Sequence, residues 1–264
     1  MPSLTDPLQL LRVLLPKQHI LLLSHMRAYT SLFGHIIGSN PAVCGYYEMH
    51  IGYYSWRSLL RQKLLYFKDE EVKTGFSCMF DKVLHNDHAV SPSVLLRPNT
   101  RTIFSLRHPR DTLPSIVTLY QQVDPTNEFN SPDYALDYYL NRLTALTDIA
   151  ANMEKPFYYL DAETLVENAG ECLESLSDWL RLETPLATHY DKQKKTSQKR
   201  YGDTSAKLEA GTIIKPEANR VHTQLDEEMI ERATAAYLAA REILTSSSTA
   251  QSLSSNDKAF TGIP

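Results

Sequence analysis

Two short stretches of the chain carry residues able to hold an anion. In "HILLLSHMRAYTSLFG" (19–34) the apolar run Ile20 to Leu23 stops at Ser24, and His25, Met26, Arg27, Thr30 and Ser31 lead into a second apolar patch. That is the pattern of a strand that turns and opens a helix. The first backbone N–H groups of such a helix have no helical partner, and with the helix dipole they form an anion site. Arg27 adds a charged fork, and the hydroxyls of Thr30 and Ser31 add donors. A threonine cap beside a solvated arginine would read the same way in this segment alone. The stretch lacks the Gly-Lys-Ser/Thr of an ATP-binding P-loop. A second stretch, "TIFSLRHPRDTLPSI" (102–116), has Arg107 closing an apolar strand and Ser115 eight residues later on the next helix. Open α/β sheets bind their ligands at the carboxyl edge, where Arg107 would lie. Two such turns in one sheet suit an anion with two separated charged groups.

Other residues offer proton chemistry. Glu48 follows an expected strand, and His50, two residues on, is the rival base, because an imidazole suits proton transfer near neutrality. Tyr46, Tyr47, Tyr53, Tyr54 and Trp56 crowd around them in "GYYEMHIGYYSW" (45–56), either to stack on an amphipathic acceptor or to pack in the core. Lys82 sits in "FDKVLHN" (80–86). His85 and His88 are three apart, as a helical metal pair would be, but no third ligand is evident and no metal is expected. Residues 192–200 carry five Lys or Arg, ending in Lys199-Arg200 just before Gly202-Asp203.

The elements that must position these groups alternate. "HILLLS" (19–24), "AVCGYY" (42–47), "RTIFSLR" (101–107) and "FYYLD" (157–161) read as strands. Leu32, Phe33, Ile36 and Ile37 recur at helical spacing until Gly38, a C-cap ahead of Asn40-Pro41. Helical patterns follow over Trp56–Phe67, Pro132–Met153 and Ala169–Leu182. Because proline is tolerated in a helix's first turn, Pro114 predicts a helix start near Asp111-Thr112. A last helix runs over Asp226–Leu244, with Arg241 in its final turn. From Thr245 the chain is serine-rich and reads as disordered. The expected fold is α/β: a single domain over 1–244 with a central parallel sheet flanked by helices, and a tail over 245–264.

Bulk composition sets the outer limits. The 264 residues, 42% hydrophobic and 22% charged, suffice for one large core. A net charge of -4 argues against general nucleic-acid binding. The cysteines Cys44, Cys78 and Cys172 stand far apart without metal or disulfide spacing. No apolar run is long enough for a membrane span, and a cytoplasmic location is expected.

On these motifs the chain resembles the PAPS-dependent sulfotransferase family of the carbohydrate and bacterial type, which has a P-loop NTPase-like fold. "MRAYTSLFGHIIGSNPAVCGYYEMH" is similar to the family's opening loop, helix and glutamate element. "IFSLRHPRDTLPSI" is similar to its second element, and the match extends over most of residues 18–215. The resemblance implies that Arg27, Ala28, Tyr29, Thr30 and Ser31 cradle the 5′-phosphosulfate of 3′-phosphoadenosine 5′-phosphosulfate (PAPS). It implies that Arg107 and Ser115 grip the 3′-phosphate, that Lys82 lies near the donor, and that Glu48 is the base. Lys199, Arg200 and Gly202, in "KRYGDTS" (199–205), match the basic loop that closes over the nucleotide. The product would be adenosine 3′,5′-bisphosphate (PAP), the acceptor a small molecule or carbohydrate, and no metal is required. Tyr29 stands where the family has glycine, Ala28 where it has serine and Ala162 where it has tyrosine, which implies a shifted loop or a weaker hold on the donor. Two other functions compete: a non-catalytic 3′-phosphonucleotide-binding relative, or an ATP-dependent kinase on a related fold, against which the missing P-loop lysine and magnesium acids count.

Overall fold

The computed structural model describes residues 7–15, 17–195, 206–215 and 223–254. Six parallel strands form its sheet: β1 (Gln18–Leu23), β2 (Val43–Cys44), β3 (Cys78–Val83), β4 (Thr100–Leu106), β5 (Tyr158–Asp161) and β6 (Ala250–Ser252), in the order β2-β3-β1-β4-β5-β6. The helices are α1 (Pro7–Leu14), α2 (Thr30–Ser39), α3 (Trp56–Asp69), α4 (Pro92–Leu95), α5 (Pro109–Val123), α6 (Pro132–Ala151), α7 (Thr164–Glu167), α8 (Ala169–Leu180) and α9 (Glu227–Ser247).

The uninterrupted apolar character of β1 follows from burial on both faces. Ile20 and Leu22 pack with Phe80 and Ile103 beneath α2 and α8. Leu21 and Leu23 pack with Phe104 and Leu106 beneath α5, α6 and α9. The chain leaves β1 for β2 and β3 on one side of it, then crosses to β4 on the other. The strand order therefore reverses at the carboxyl ends of β1 and β4, the position at which such sheets bind ligands.

The structure corrects several boundaries. The second strand covers only Val43–Cys44, because Gly45 turns out of the sheet with φ 111°, and a Cβ there would meet Phe80 O at 2.1 Å. The "FDKVLHN" stretch contributes strand residues, Phe80 to Val83, although Asp81 and Lys82 break its apolar pattern. Gly38 is not the C-cap of α2; the helix passes through it to Ser39, and Asn40 is its C-cap. Gly38 is needed for close approach instead, since a Cβ there would lie 2.6 Å from Tyr46 Cβ. Helix α5 begins at Pro109, capped by the His108 side chain, so Pro114 sits in its second turn without an N–H to donate. The stretch after Leu244 departs from the expected disorder: α9 continues to Ser247, and Ala250–Ser252 pairs with β5 as the edge strand. Arg241 thus lies inside α9, and it binds the buried Asp161 (Nη2–Oδ2 2.7 Å) rather than the helix end. Residues 255–264 of the expected tail lie outside the described residues.

Candidate active site

The turn after β1 is tied to both neighbouring strands. Ser24 N–H donates to Val83 O and its hydroxyl to Ser105 O (3.2 and 2.8 Å), fastening the end of β1 to both neighbouring strands. The next residue, His25, is fully buried. Its Nε2 accepts from Arg107 N–H (3.0 Å), so its Nδ1–H donates to Met26 O (2.9 Å). Burial pushes this imidazole down to about 3, so it stays neutral and acts as a fixed strut between the turn after β1 and the end of β4. Arg27 and Tyr29 then take left-handed backbone, φ 63° and 51°, and Ala28 between them is buried. Tyr29 reaches the backbone conformation that the glycine of the family pattern favours, at a cost of roughly 1–2 kcal/mol. As N-cap of α2 its side chain accepts no hydrogen bond from the helix. The first turn of α2, at Thr30 and Ser31, therefore takes no side-chain cap from Tyr29.

Arg107, at the end of β4, meets this turn directly. It is buried, and its Nη1–H donates to Arg27 O (2.8 Å) and its Nη2–H to Tyr29 Oη (3.1 Å). Its guanidinium lies 4.3 Å from the centre of the Tyr29 ring. Arg27 Nε–H donates to Ser115 Oγ (2.9 Å), which joins the first turn to α5. Arg27, Tyr29, Arg107 and Ser115 thus form one group across 88 residues of sequence separation. Arg107 also faces Asp111 one helical turn on, at 3.8 Å.

On β3, strand alternation sends Asp81 and Lys82 to opposite faces. Lys82 is buried, and its Nζ donates to Ser31 Oγ (3.1 Å), in the first turn of α2. Asp81 accepts from Tyr53 Oη (2.5 Å) and from Met49 N–H (3.0 Å), between Glu48 and His50. Glu48 is 7% exposed, its Oε1 has no hydrogen-bond partner, and His50 Nδ1 lies 3.7 Å from that atom. His50 itself is exposed and has left-handed backbone. Tyr46, Tyr47 and Tyr53 belong to the core, whereas Tyr54 and Trp56 are 62% and 53% exposed. Lys199, Arg200 and Gly202 lie outside the described residues.

Sequence reasoning missed three supports. Asp81 is one, hidden because an acid inside a strand carries no motif. Arg142 is the second: from α6 it donates to Ser24 O, Val83 O and Asn86 Oδ1 at 2.8, 2.6 and 2.8 Å, holding the ends of β1 and β3. Burial lowers it to about 10, so it keeps its charge at neutral pH. Glu163 is the third. It accepts from His108 N–H (2.9 Å) at the start of α5.

Burial pushes Asp81 up to about 7. A carboxyl whose folded pKa exceeds its unfolded one stabilises the fold while protonated, and that stability is lost as pH rises toward 7. His19 and His25, pushed down to about 4 and 3, run the opposite way, so the test is a difference. Asp81→Asn is expected to gain ~2 kcal/mol or more relative to the native chain between pH 4 and pH 8. Urea unfolding of both proteins at several pH values reads this directly; parallel curves would mean that Asp81 ionises normally.

No protein-family model matches the sequence, and a search of curated proteins finds no match to it. Among solved structures the chain is similar to the sulfotransferase domain of the Synechococcus PCC 7002 olefin synthase, with 14% identity and a TM-score of 0.55, over 83% of this chain and 94% of that one. It is also similar to the sulfotransferase domain from the curacin biosynthetic pathway (15% identity, TM-score 0.49, 88% and 98% covered). A third is retinol dehydratase in complex with retinol and PAP (10% identity, TM-score 0.44, 87% and 82% covered). The chain has the sulfotransferase fold. No helix among the described residues is long and apolar enough to cross a membrane.

Proposed function

We propose that this chain is a sulfotransferase that moves a sulfuryl group from PAPS to a hydroxyl of a carbohydrate, glycolipid or similar small acceptor. The observation that carries the reading is the meeting of Arg27, Arg107 and Ser115 at the start of α2, with Lys82 on Ser31 in that helix's first turn. This group supplies cations and hydroxyls at the strand switch point of a sulfotransferase fold. Arg107 Nε is buried without a hydrogen-bond partner, which suits a further oxygen from a ligand phosphate.

In this reading Arg107 and Ser115 hold the 3′-phosphate, and the α2 N–H groups with Arg27 and Ser31 hold the 5′ group. Transfer forms a bond from the acceptor oxygen to sulfur and breaks the bond from sulfur to the 5′-phosphate oxygen. Glu48 takes the acceptor's proton. Lys82 and the α2 amino end stabilise the charge that grows on the departing phosphate oxygen. Such chemistry rests on in-line placement and fixed electrostatics, as phosphoryl transfer does. Asp81 and Arg142 act as positioning residues, the first for the Glu48 loop and the second for the strand ends.

The test is to incubate the protein with sulfur-labelled PAPS and a panel of sugar and glycolipid hydroxyls. Labelled sulfate ester and PAP should appear in equal amounts. Binding of PAP with no transfer to any hydroxyl would leave a nucleotide-binding protein and end the enzymatic reading.

A further inference from the structure

The acceptor side of the site holds a cluster that sulfuryl transfer does not use in full. Glu48 and His50 come from the loop after β2, and His88 from the turn after β3. One carboxylate oxygen and two imidazole nitrogens from these residues lie within 4.8 Å of one another. The imidazole rings of His50 and His88 stand 5.7 Å apart between centres, at 61°. Glu48 is more than nine-tenths buried, yet its Oε1 finds no hydrogen-bond donor and has His50 Nδ1 at 3.7 Å. A buried carboxylate oxygen in that condition calls for a partner. The two loops are also fixed to each other: Tyr53 N–H donates to Ala89 O, Ser91 N–H donates to Tyr53 O, both at 2.8 Å, and Asp81 holds Met49 N–H.

From this geometry we infer that Glu48, His50 and His88 form a binding site for one divalent transition-metal ion of the zinc type. Two imidazoles and a carboxylate are a donor set that suits zinc, with a fourth position open to water or an acceptor oxygen. Zinc bonds of about 2.0–2.1 Å place ligand atoms roughly 3.4 Å apart, which small side-chain rotations reach from the present arrangement. The backbone ties between the loops supply the support that metal ligands need in order to hold their orientation. Taken with the reading above, on which this clause alone rests, a bound ion engages the carboxylate assigned as base and holds transfer off until it leaves.

The probe is Co²⁺, followed by visible absorption, with Zn²⁺ competing in a calorimetric titration of the full chain. One equivalent of ion is expected, displaced by Zn²⁺. His88→Ala removes one of the three ligands and is expected to weaken binding at least ~10-fold, since loss of even an outer-shell partner costs about that much. His189→Ala, which removes an exposed histidine elsewhere, is expected to leave it unchanged. Binding that is weak, lacks a defined stoichiometry, or is the same in the native chain and His88→Ala overturns the site. So does loss of binding in His189→Ala. A parallel PAP titration separates the two readings, since its failure refutes the donor assignment and leaves the ion result standing.

Discussion

Replacing Arg107 by alanine is expected to weaken PAP binding by about 30-fold or more, close to 2 kcal/mol, as loss of charge-assisted hydrogen bonds to a phosphate does. The residue is buried at the end of β4 and reaches both Arg27 O and Tyr29 Oη, so its removal also loosens the turn that opens α2. Arg107→Lys separates the two contributions. Lysine keeps the charge but not the planar fork, so its affinity should fall between those of the native chain and the alanine variant. Calorimetric titration of all three proteins gives the series. An alanine variant that binds PAP as the native chain does would place the 3′-phosphate elsewhere.

The second large effect is expected at Glu48. Positioned proton transfer contributes typically about 10²–10⁴-fold, so Glu48→Gln should lower kcat at least ~100-fold and leave PAP affinity nearly unchanged. Burial of the carboxylate, with one oxygen unpartnered, sets it apart from the exposed His50. His50→Ala is accordingly expected to cost less than Glu48→Gln. The comparison requires transfer rates on the best acceptor of the panel, with PAP affinity measured for each variant. A larger loss at His50 would reverse the assignment between these neighbours.

Local pattern carried part of this site and long-range packing carried the rest. The positions of Arg107 at a strand end and Ser115 on the next helix were legible because an apolar strand, a charged end and the next helix follow each other within one short stretch, and the fold keeps that order. The placement of Arg27, Thr30 and Ser31 in a strand-to-helix turn was legible for the same reason. Their joining is a different matter: the bond from Arg27 to Ser115 spans 88 positions and has no local signature. Asp81 and Arg142 were illegible because each looks like an ordinary charged residue until the strand ends and the Glu48 loop close around it. His88 was paired in sequence with His85 at helical spacing, yet the segment is a turn, and its relevant neighbours are Glu48 and His50. Gly38 carried a true signal read for the wrong cause, since both a C-cap and a close approach to Tyr46 call for the smallest residue. The serine-rich stretch after Thr245 had the composition of a disordered tail, but β5 offers its edge as a template and Ala250–Ser252 pairs there.

The central claim is that the strand switch point takes a nucleotide phosphorylated at both its 3′ and 5′ positions. The most direct measurement is a calorimetric titration of the native chain with PAP, with adenosine 5′-monophosphate, and with ATP in the presence and absence of magnesium. PAP is expected to bind at least ~10-fold more tightly than the 5′-monophosphate, one charge-assisted contact's worth, and more tightly than ATP under either condition. Equal affinity for PAP and the 5′-monophosphate, or magnesium-dependent preference for ATP, would contradict it.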